Sequence, residues 1–359
     1  MAEAEPGQKA RRARVVVVGA GFAGLRTLRR LERLLPPEAA ELVVISPVDH
    51  MLYTALLPQV CASSLEPRHL AVGLRPVLRR TLLRLGHAVA VDTAERTVTV
   101  RAADASTRTL PWDRLVLAPG AVTRTFDIPG LAEHALGLKT LVEAVELRDH
   151  VLRQLELADA TVDPVRRAEH CTFVVVGAGY TGTELVAQMA AFTRRAVAAY
   201  RHVRPEDIRW LLVDHGPRIL HELGPAFSAR AAQVLIGRGV QIWPRTAVTA
   251  VTERSVTLRS EDGGPAGPTG THVPARTVVW CAGVSPSPLI AALGLPTVRG
   301  RLSVDEFLRV PSVPGMFALG DAAAVPDASR AGVPAGQTAQ NALRQAAVAA
   351  NNVAASLGH

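Results

Sequence analysis

An α/β fold made of two parallel-sheet units is what the amino-acid sequence predicts, and three observations predict it. Two valine runs, Val15–Val18 and Val174–Val176, read as strands buried on both faces. Each is followed at once by Gly-x-Gly-x-x-Gly and then by a stretch suited to a helix. Each such stretch leads to a second apolar strand, Glu41–Ser46 in one case and Arg209–Asp214 in the other. Strand, glycine loop, helix and strand form a βαβ unit, so the chain reads as two Rossmann-like dinucleotide-binding domains.

Composition suits that reading. A length of 359 residues exceeds one typical unit, and 48% hydrophobic against 20% charged residues can bury sizeable cores. Aromatic residues are only 4%, too few for the stacking platforms of a nucleic-acid binder. The net charge of +8 is almost entirely arginine, the only lysines being Lys9 and Lys139. That arginine is spread along the chain, as a GC-rich, bacterial coding sequence would spread it. A basic surface also suits phosphorylated cofactors or anionic lipid.

The three cysteines, Cys61, Cys171 and Cys281, have neither disulfide nor zinc spacing and point to a reducing cytoplasm. No apolar run approaches the ~18 residues of a membrane span. Residues 1–13 are polar and read as a flexible N-terminus. The pair Arg11-Arg12 runs into the first strand and not into the apolar region of an export signal.

In the first loop, Gly19-Ala-Gly21-Phe22-Ala23-Gly24, Gly19 permits the tight turn and Gly21 lets backbone approach a pyrophosphate. Gly24 lets the helix pack against the strand, and the helix N-terminus favours the anion. The second loop, Gly177-Ala-Gly179-Tyr180-Thr181-Gly182, repeats the arrangement. The two units part at the end of the second strand, where a carboxylate can take both ribose hydroxyls. Asp214 holds that position in the second unit and would repel a 2′-phosphate, so NADH is expected over NADPH; an exposed strand-end carboxylate is the alternative. The first unit has Ser46 there, a weaker anchor for which Asp49 could substitute.

A third signal is Val313-Pro-Gly-Met-Phe-Ala-Leu-Gly320-Asp321, a short strand ending in Gly-Asp, with a helix following Gln337-Thr338. Here the chain resembles the pyridine nucleotide–disulfide oxidoreductase superfamily of two-domain, glutathione-reductase-like flavoproteins. The resemblance implies that Asp321, after Gly320, bonds the ribityl–pyrophosphate part of FAD. Ala118-Pro119-Gly120 stands where the family commonly has Ala-Thr-Gly, and proline removes one backbone donor. Val89 and the Thr338-Ala339 pair are counted among the FAD contacts, and Ala282 and Gly283 among those to NAD.

Within the superfamily the resemblance is to type II NADH:quinone oxidoreductases, carried by Met51–Val60, Ile128-Pro-Gly130, Leu138–Leu141, Val213–Leu220 and Val279–Leu289. It implies a glutamate near the nicotinamide, Glu184, in the first turn after the second glycine loop, where an acid also suits a helix start. It implies a quinone-side glutamine, Gln340, in Ala339-Gln340-Asn-Ala342-Leu-Arg344-Gln345, with Arg344 replacing a further glutamine. Chain boundaries are expected at 14–140 for the first part of the FAD domain, 141–310 for the NAD(H) domain and 311–359 for the rest of the FAD domain.

Disulfide reductases of the superfamily carry Cys-x4-Cys after the first βαβ unit, where this chain has only Cys61. A small buried thiol is expected there, with a peroxidatic cysteine as the alternative. The flavin must then carry the electrons itself, taking hydride from the nicotinamide at N5. A helix starting near Thr338 could aim its N–H groups at the flavin N1.

The leading expectation is an FAD-dependent NADH dehydrogenase that passes electrons to a quinone or similar diffusible acceptor. The alternatives are a soluble NAD(P)H-dependent reductase of a ferredoxin-like protein or an aromatic metabolite, and a non-catalytic NADH-sensing flavoprotein. No metal is expected, and a homodimer is allowed. The sequence ends at His359, short of the family's C-terminal membrane platform. Weak, salt-sensitive attraction to anionic lipid or no membrane binding is therefore expected, in the cytoplasm or peripherally on the inner face of the cell membrane.

Overall fold

The computed structural model describes residues 12–124, 126–260, 264–328, 330 and 332–359. Most of the N-terminal stretch 1–13 therefore lies outside the described residues, although Ala13 already opens the first strand. The chain divides into two compact units, residues 1–51, 71–122 and 285–359 in one and residues 52–70 and 123–284 in the other.

The first unit is built on a five-stranded sheet in the order Met316–Ala318, Arg114–Leu117, Ala13–Val18, Ala40–Ser46, Leu82–Leu85. Every pairing in it is parallel. Covered on both faces, such strands need continuous apolar runs, which is why Val15, Val16 and Val17 are fully buried. The helix Phe22–Leu34 packs against the last helix, Ala339–Ala355, whose buried alanines permit a close approach. A three-stranded antiparallel sheet, His87–Asp92, Thr97–Arg101 and Thr107–Pro111, completes this unit.

The second unit repeats the plan. Its parallel sheet runs Ala135–Leu136, Thr277–Trp280, Thr172–Val176, Arg209–Val213, Val240–Trp243. Its antiparallel sheet is Thr246–Thr252, Ser255–Ser260 and Thr271–Pro274. The long helix Leu141–Ala160 starts in a capping box, Thr140 with Glu143, that satisfies donors at both positions.

The unit limits differ from the boundaries read at 140/141 and 310/311. Residues 123–140 lie in the second unit because Ala135 and Leu136 pair with Val278 and Val279. Residues 285–310 lie in the first because Leu302 and Ser303 pair with Ala323 and Ala324. Residues 52–70 lie in the second because Leu57, Val60 and Cys61 of the short helix Leu57–Cys61 are buried in its core.

Among the described residues no helix is long and apolar enough to cross a membrane, and no acidic, histidine and cysteine cluster could hold a metal ion.

Candidate functional site

Each unit carries a glycine loop at the C-terminal edge of its parallel sheet. In the first, Gly19 has φ +95°, and a Cβ there would lie 2.1 Å from the Ala118 carbonyl oxygen. A Cβ on Gly24 would meet the Gly19 carbonyl oxygen at 1.9 Å. No larger residue fits either place. Gly21 is the reverse: a Cβ would meet nothing within 4 Å, so its surface is open to a ligand. Gly21 is also the N-cap of the helix Phe22–Leu34, which has no side-chain cap and no acid in its first turn. An anion can therefore take the capping role at this positive helix end, beside Phe22, Ala23 and Gly24.

Two further pieces converge on this loop within the same unit. The turn Gly320–Ala322 follows the strand Met316–Ala318, with Gly320 at φ +70°. A Cβ on Gly320 would lie 3.3 Å from the Cβ of Ala23 and 3.9 Å from that of Ala342, so the turn sits between the first and last helices. Gly320, the residue before Asp321, thus lies beside Ala23 of the glycine loop. Ala118, Pro119 and Gly120 end the neighbouring strand, and the Gly120 carbonyl accepts the Ser287 N–H at 3.0 Å.

Ser46 ends its strand 2% exposed, its hydroxyl receiving the Val48 N–H at a long 3.4 Å. Asp49 is exposed and hydrogen-bonds His50 at 3.2 Å. Val89 lies at an irregularity in the strand His87–Asp92, where the register shifts between Ala88 and Ala90. Such a bulge interrupts the ladder and leaves backbone groups for other partners.

The last helix begins at Ala339 with Thr338 as N-cap, whose hydroxyl takes the Asn341 N–H at 3.2 Å. The helix start expected near Thr338 is thus present, but one of its N–H groups is committed to the cap. Gln340 and Arg344 are exposed on this helix.

The second loop copies the first. Gly177 has φ +101°, and a Cβ on it would lie 2.7 Å from the Ala282 backbone, which brings Ala282 against the loop. A Cβ on Gly182 would meet the Gly177 carbonyl oxygen at 1.9 Å, and one on Gly179 nothing within 4 Å. The helix Tyr180–Ala196 again lacks a side-chain cap and a first-turn acid. Tyr180 and Thr181 are exposed at its start, and Gly283, with φ +73°, follows Ala282.

Glu184 is the fifth residue of that helix, not part of its first turn, so the helix-start role read from the sequence does not hold. Its carboxyl is exposed to solvent on one side, yet the surrounding protein raises its pKa above the ordinary value by desolvation.

Asp214 directly follows the strand Arg209–Val213 and is 7% exposed, so it is not an exposed strand-end carboxylate. One oxygen accepts the Ala178 N–H at 2.6 Å and the other the Gly216 N–H at 2.6 Å. The carboxylate thus holds the glycine loop itself, with a lone pair remaining on each oxygen. This loop-holding contact is absent from the sequence reading.

All three cysteines are free thiols. Cys61 and Cys171 are buried and Cys281 is half-buried. Burial pushes the Cys61 and Cys281 thiols up to about 12 and Cys171 to about 11. A thiol so protonated at neutral pH is a poor nucleophile.

A family model for the pyridine nucleotide-disulphide oxidoreductases matches residues 13–346. The chain belongs to this family. It is 34% identical over 356 residues to the type II NADH:quinone oxidoreductase NdhA of Mycobacterium tuberculosis, across 96% of this chain and 72% of that protein. It is 31% identical to the demethylphylloquinone reductase NdbB of Synechocystis, across 96% of this chain and 80% of that protein. The fold matches that of NDH2 from Plasmodium falciparum in complex with NADH, with a TM-score of 0.86 at 19% identity, over 95% of this chain and 83% of that one. The chain is thus a type II NADH:quinone oxidoreductase-like member of the family.

Proposed function

We propose that the protein is an FAD-dependent NADH:quinone oxidoreductase, with FAD held by the first unit and NADH by the second. The observation that carries this reading is the pair of glycine loops. They share one geometry, but only the first has a Gly-Asp turn beside it, and only the second has a strand-end carboxylate. The activities printed for NdhA and NdbB support the acceptor class.

FAD, when bound, would supply the hydride acceptance and electron delivery. The residues bind and orient. Gly19, Gly21 and Gly24 admit the pyrophosphate at the N-terminus of the helix Phe22–Leu34, with the Phe22 and Ala23 backbone at its edge. Asp321, after Gly320, would bond the ribityl–pyrophosphate part of FAD, Ser46 would anchor its ribose, and Val89 would contribute a further FAD contact. Ala118 and Gly120 contribute backbone, while Pro119 offers no N–H. The start of the last helix at Thr338 and Ala339 would help hold the flavin and favour negative charge on it.

In the second unit Gly177, Gly179, Tyr180, Thr181 and Gly182 cradle the NADH pyrophosphate. Asp214 uses its remaining lone pairs on the ribose, which disfavours a 2′-phosphate and sets the preference for NADH. Ala282 and Gly283 line the same loop. Glu184 holds a proton to higher pH than an ordinary carboxyl and would lie near the nicotinamide. Gln340 would border the quinone.

The test is acid release of FAD from the purified protein, then steady-state oxidation of NADH and NADPH with a water-soluble short-chain quinone. The expected result is stoichiometric FAD and faster turnover with NADH. A folded, colourless protein that takes up no added FAD would overturn the reading.

A further inference from the structure

The Gly320–Asp321 turn is gripped from both ends by glutamine side chains, and their chemistry is opposite. Gln345 Oε1 accepts the Gly320 N–H at 2.8 Å. Gln337 Nε2 donates to the Asp321 carbonyl oxygen at 3.1 Å. The backbone partners fix the amide orientations, because an N–H can meet only the oxygen end and a carbonyl only the nitrogen end.

Their places in the fold explain the grip. Gln345 lies on the last helix next to the buried Ala342 and Ala346, whose small side chains let the helix approach the turn. Gln337 directly precedes the Thr338 N-cap of the same helix. The approach to that cap is itself held, since Arg301, 8% exposed, donates to the Ala335 carbonyl at 2.8 Å. Gly320 is in the left-handed region at φ +70°, so the turn has a defined conformation that glycine accepts and other residues resist.

We propose that Gln345 and Gln337 are positioning residues that hold the Gly320–Asp321 turn so that the Asp321 carboxylate is pre-aligned for the ribityl chain of FAD. The proposal rests on the assignment of FAD to the first unit. It predicts losses of FAD affinity larger than the losses of apoprotein stability, and ordered by the opposite polarity of the two amides. Gln345→Glu keeps an oxygen acceptor facing the Gly320 N–H. Gln337→Glu sets a carboxylate oxygen against the Asp321 carbonyl.

The experiment strips flavin from the full-length protein and titrates FAD back by fluorescence quenching, for wild type, Gln345→Leu, Gln345→Glu, Gln337→Glu and Gln337→Leu. The thermal midpoint of each apoprotein is measured in parallel. Losing one hydrogen bond to a partly buried backbone group should raise the FAD Kd about tenfold in Gln345→Leu. Gln345→Glu should remain closer to wild type than Gln345→Leu. Gln337→Glu should bind FAD more weakly than Gln337→Leu.

The midpoint potential of the bound flavin should shift in the weakened variants, as it would if the Asp321 contact were misplaced. Equal FAD affinity in all five proteins would overturn the proposal. So would losses of affinity that simply follow apoprotein stability. A wild-type protein that binds no FAD at all would instead remove the assignment on which the proposal rests.

Discussion

The two glycine-loop units solve the same geometric problem and then diverge. In both, the first glycine has a positive φ near 100°, and the third sits where a Cβ would be 1.9 Å from the carbonyl oxygen of the first. In both, the second glycine faces open space. Backbone alone therefore makes two equivalent anion cradles.

Side chains distinguish them. The first unit ends its second strand in a hydroxyl, Ser46, and brings a Gly-Asp turn and a capped helix to the loop. The second ends in Asp214, whose carboxylate is bonded into the loop backbone. In the proposed function the glycines admit a pyrophosphate, and the residues around them select its dinucleotide.

The largest effects should come from crowding the loops. Gly24→Ala and Gly182→Ala each drive a methyl into a backbone carbonyl. Overpacking of this kind costs about 1–3 kcal/mol, here toward the upper end because backbone cannot rotate away. Gly24→Ala should lose FAD. Gly182→Ala should keep FAD and lose NADH turnover. A yellow Gly24→Ala protein would break the assignment of the first loop.

Gly21→Ala and Gly179→Ala sharpen the comparison further. A methyl at either position meets no protein atom within 4 Å, so both proteins should fold with nearly unchanged thermal midpoints. Each should nevertheless fail to bind its own dinucleotide, which isolates ligand contact from folding.

Asp214→Asn tests the divergence between the units. It removes the charge and sets an NH2 against one of the two backbone donors. The KM for NADH should rise by about tenfold or more, as expected for a lost charge-assisted contact. The ratio of kcat/KM for NADH over NADPH should fall, and FAD content should stay. An unchanged ratio would mean that the carboxylate serves only the loop.

The smallest effect is expected at Cys61. Cys61→Ala should keep most NADH:quinone activity and cost about 1–2 kcal/mol of stability through the small cavity left in the core. Iodoacetamide should label the native protein at this site slowly at pH 8, because burial holds the thiol protonated up to about 12. Loss of activity with FAD still bound would restore a thiol mechanism.

What could be read from the sequence was local or periodic. The valine runs and glycine spacings are written in consecutive residues, so both βαβ units were legible down to the open second glycines. The Gly-Asp turn was legible through its resemblance to the family. Contacts that depend on tertiary approach were not. Gln345 reaches Gly320 across 25 residues, and Asp214 reaches Ala178 across 36, with no spacing rule to announce either.

The segment 52–70 follows the first strand pair in sequence, but its apolar residues are buried with the second unit. Hydrophobicity alone does not say which of two cores will bury a helix. Glu184 fell outside the first helical turn because the helix starts at Tyr180.

If each cradle serves a different dinucleotide and electrons pass from NADH to quinone, anaerobic flavin spectra of wild type, Gly21→Ala and Gly179→Ala will separate the two. NADH should bleach the wild-type flavin, and a short-chain quinone should restore its colour. Gly21→Ala should carry no flavin, and Gly179→Ala should carry flavin that NADH does not bleach. Bleaching of Gly179→Ala at the wild-type rate, or full flavin content in Gly21→Ala, would contradict this reading.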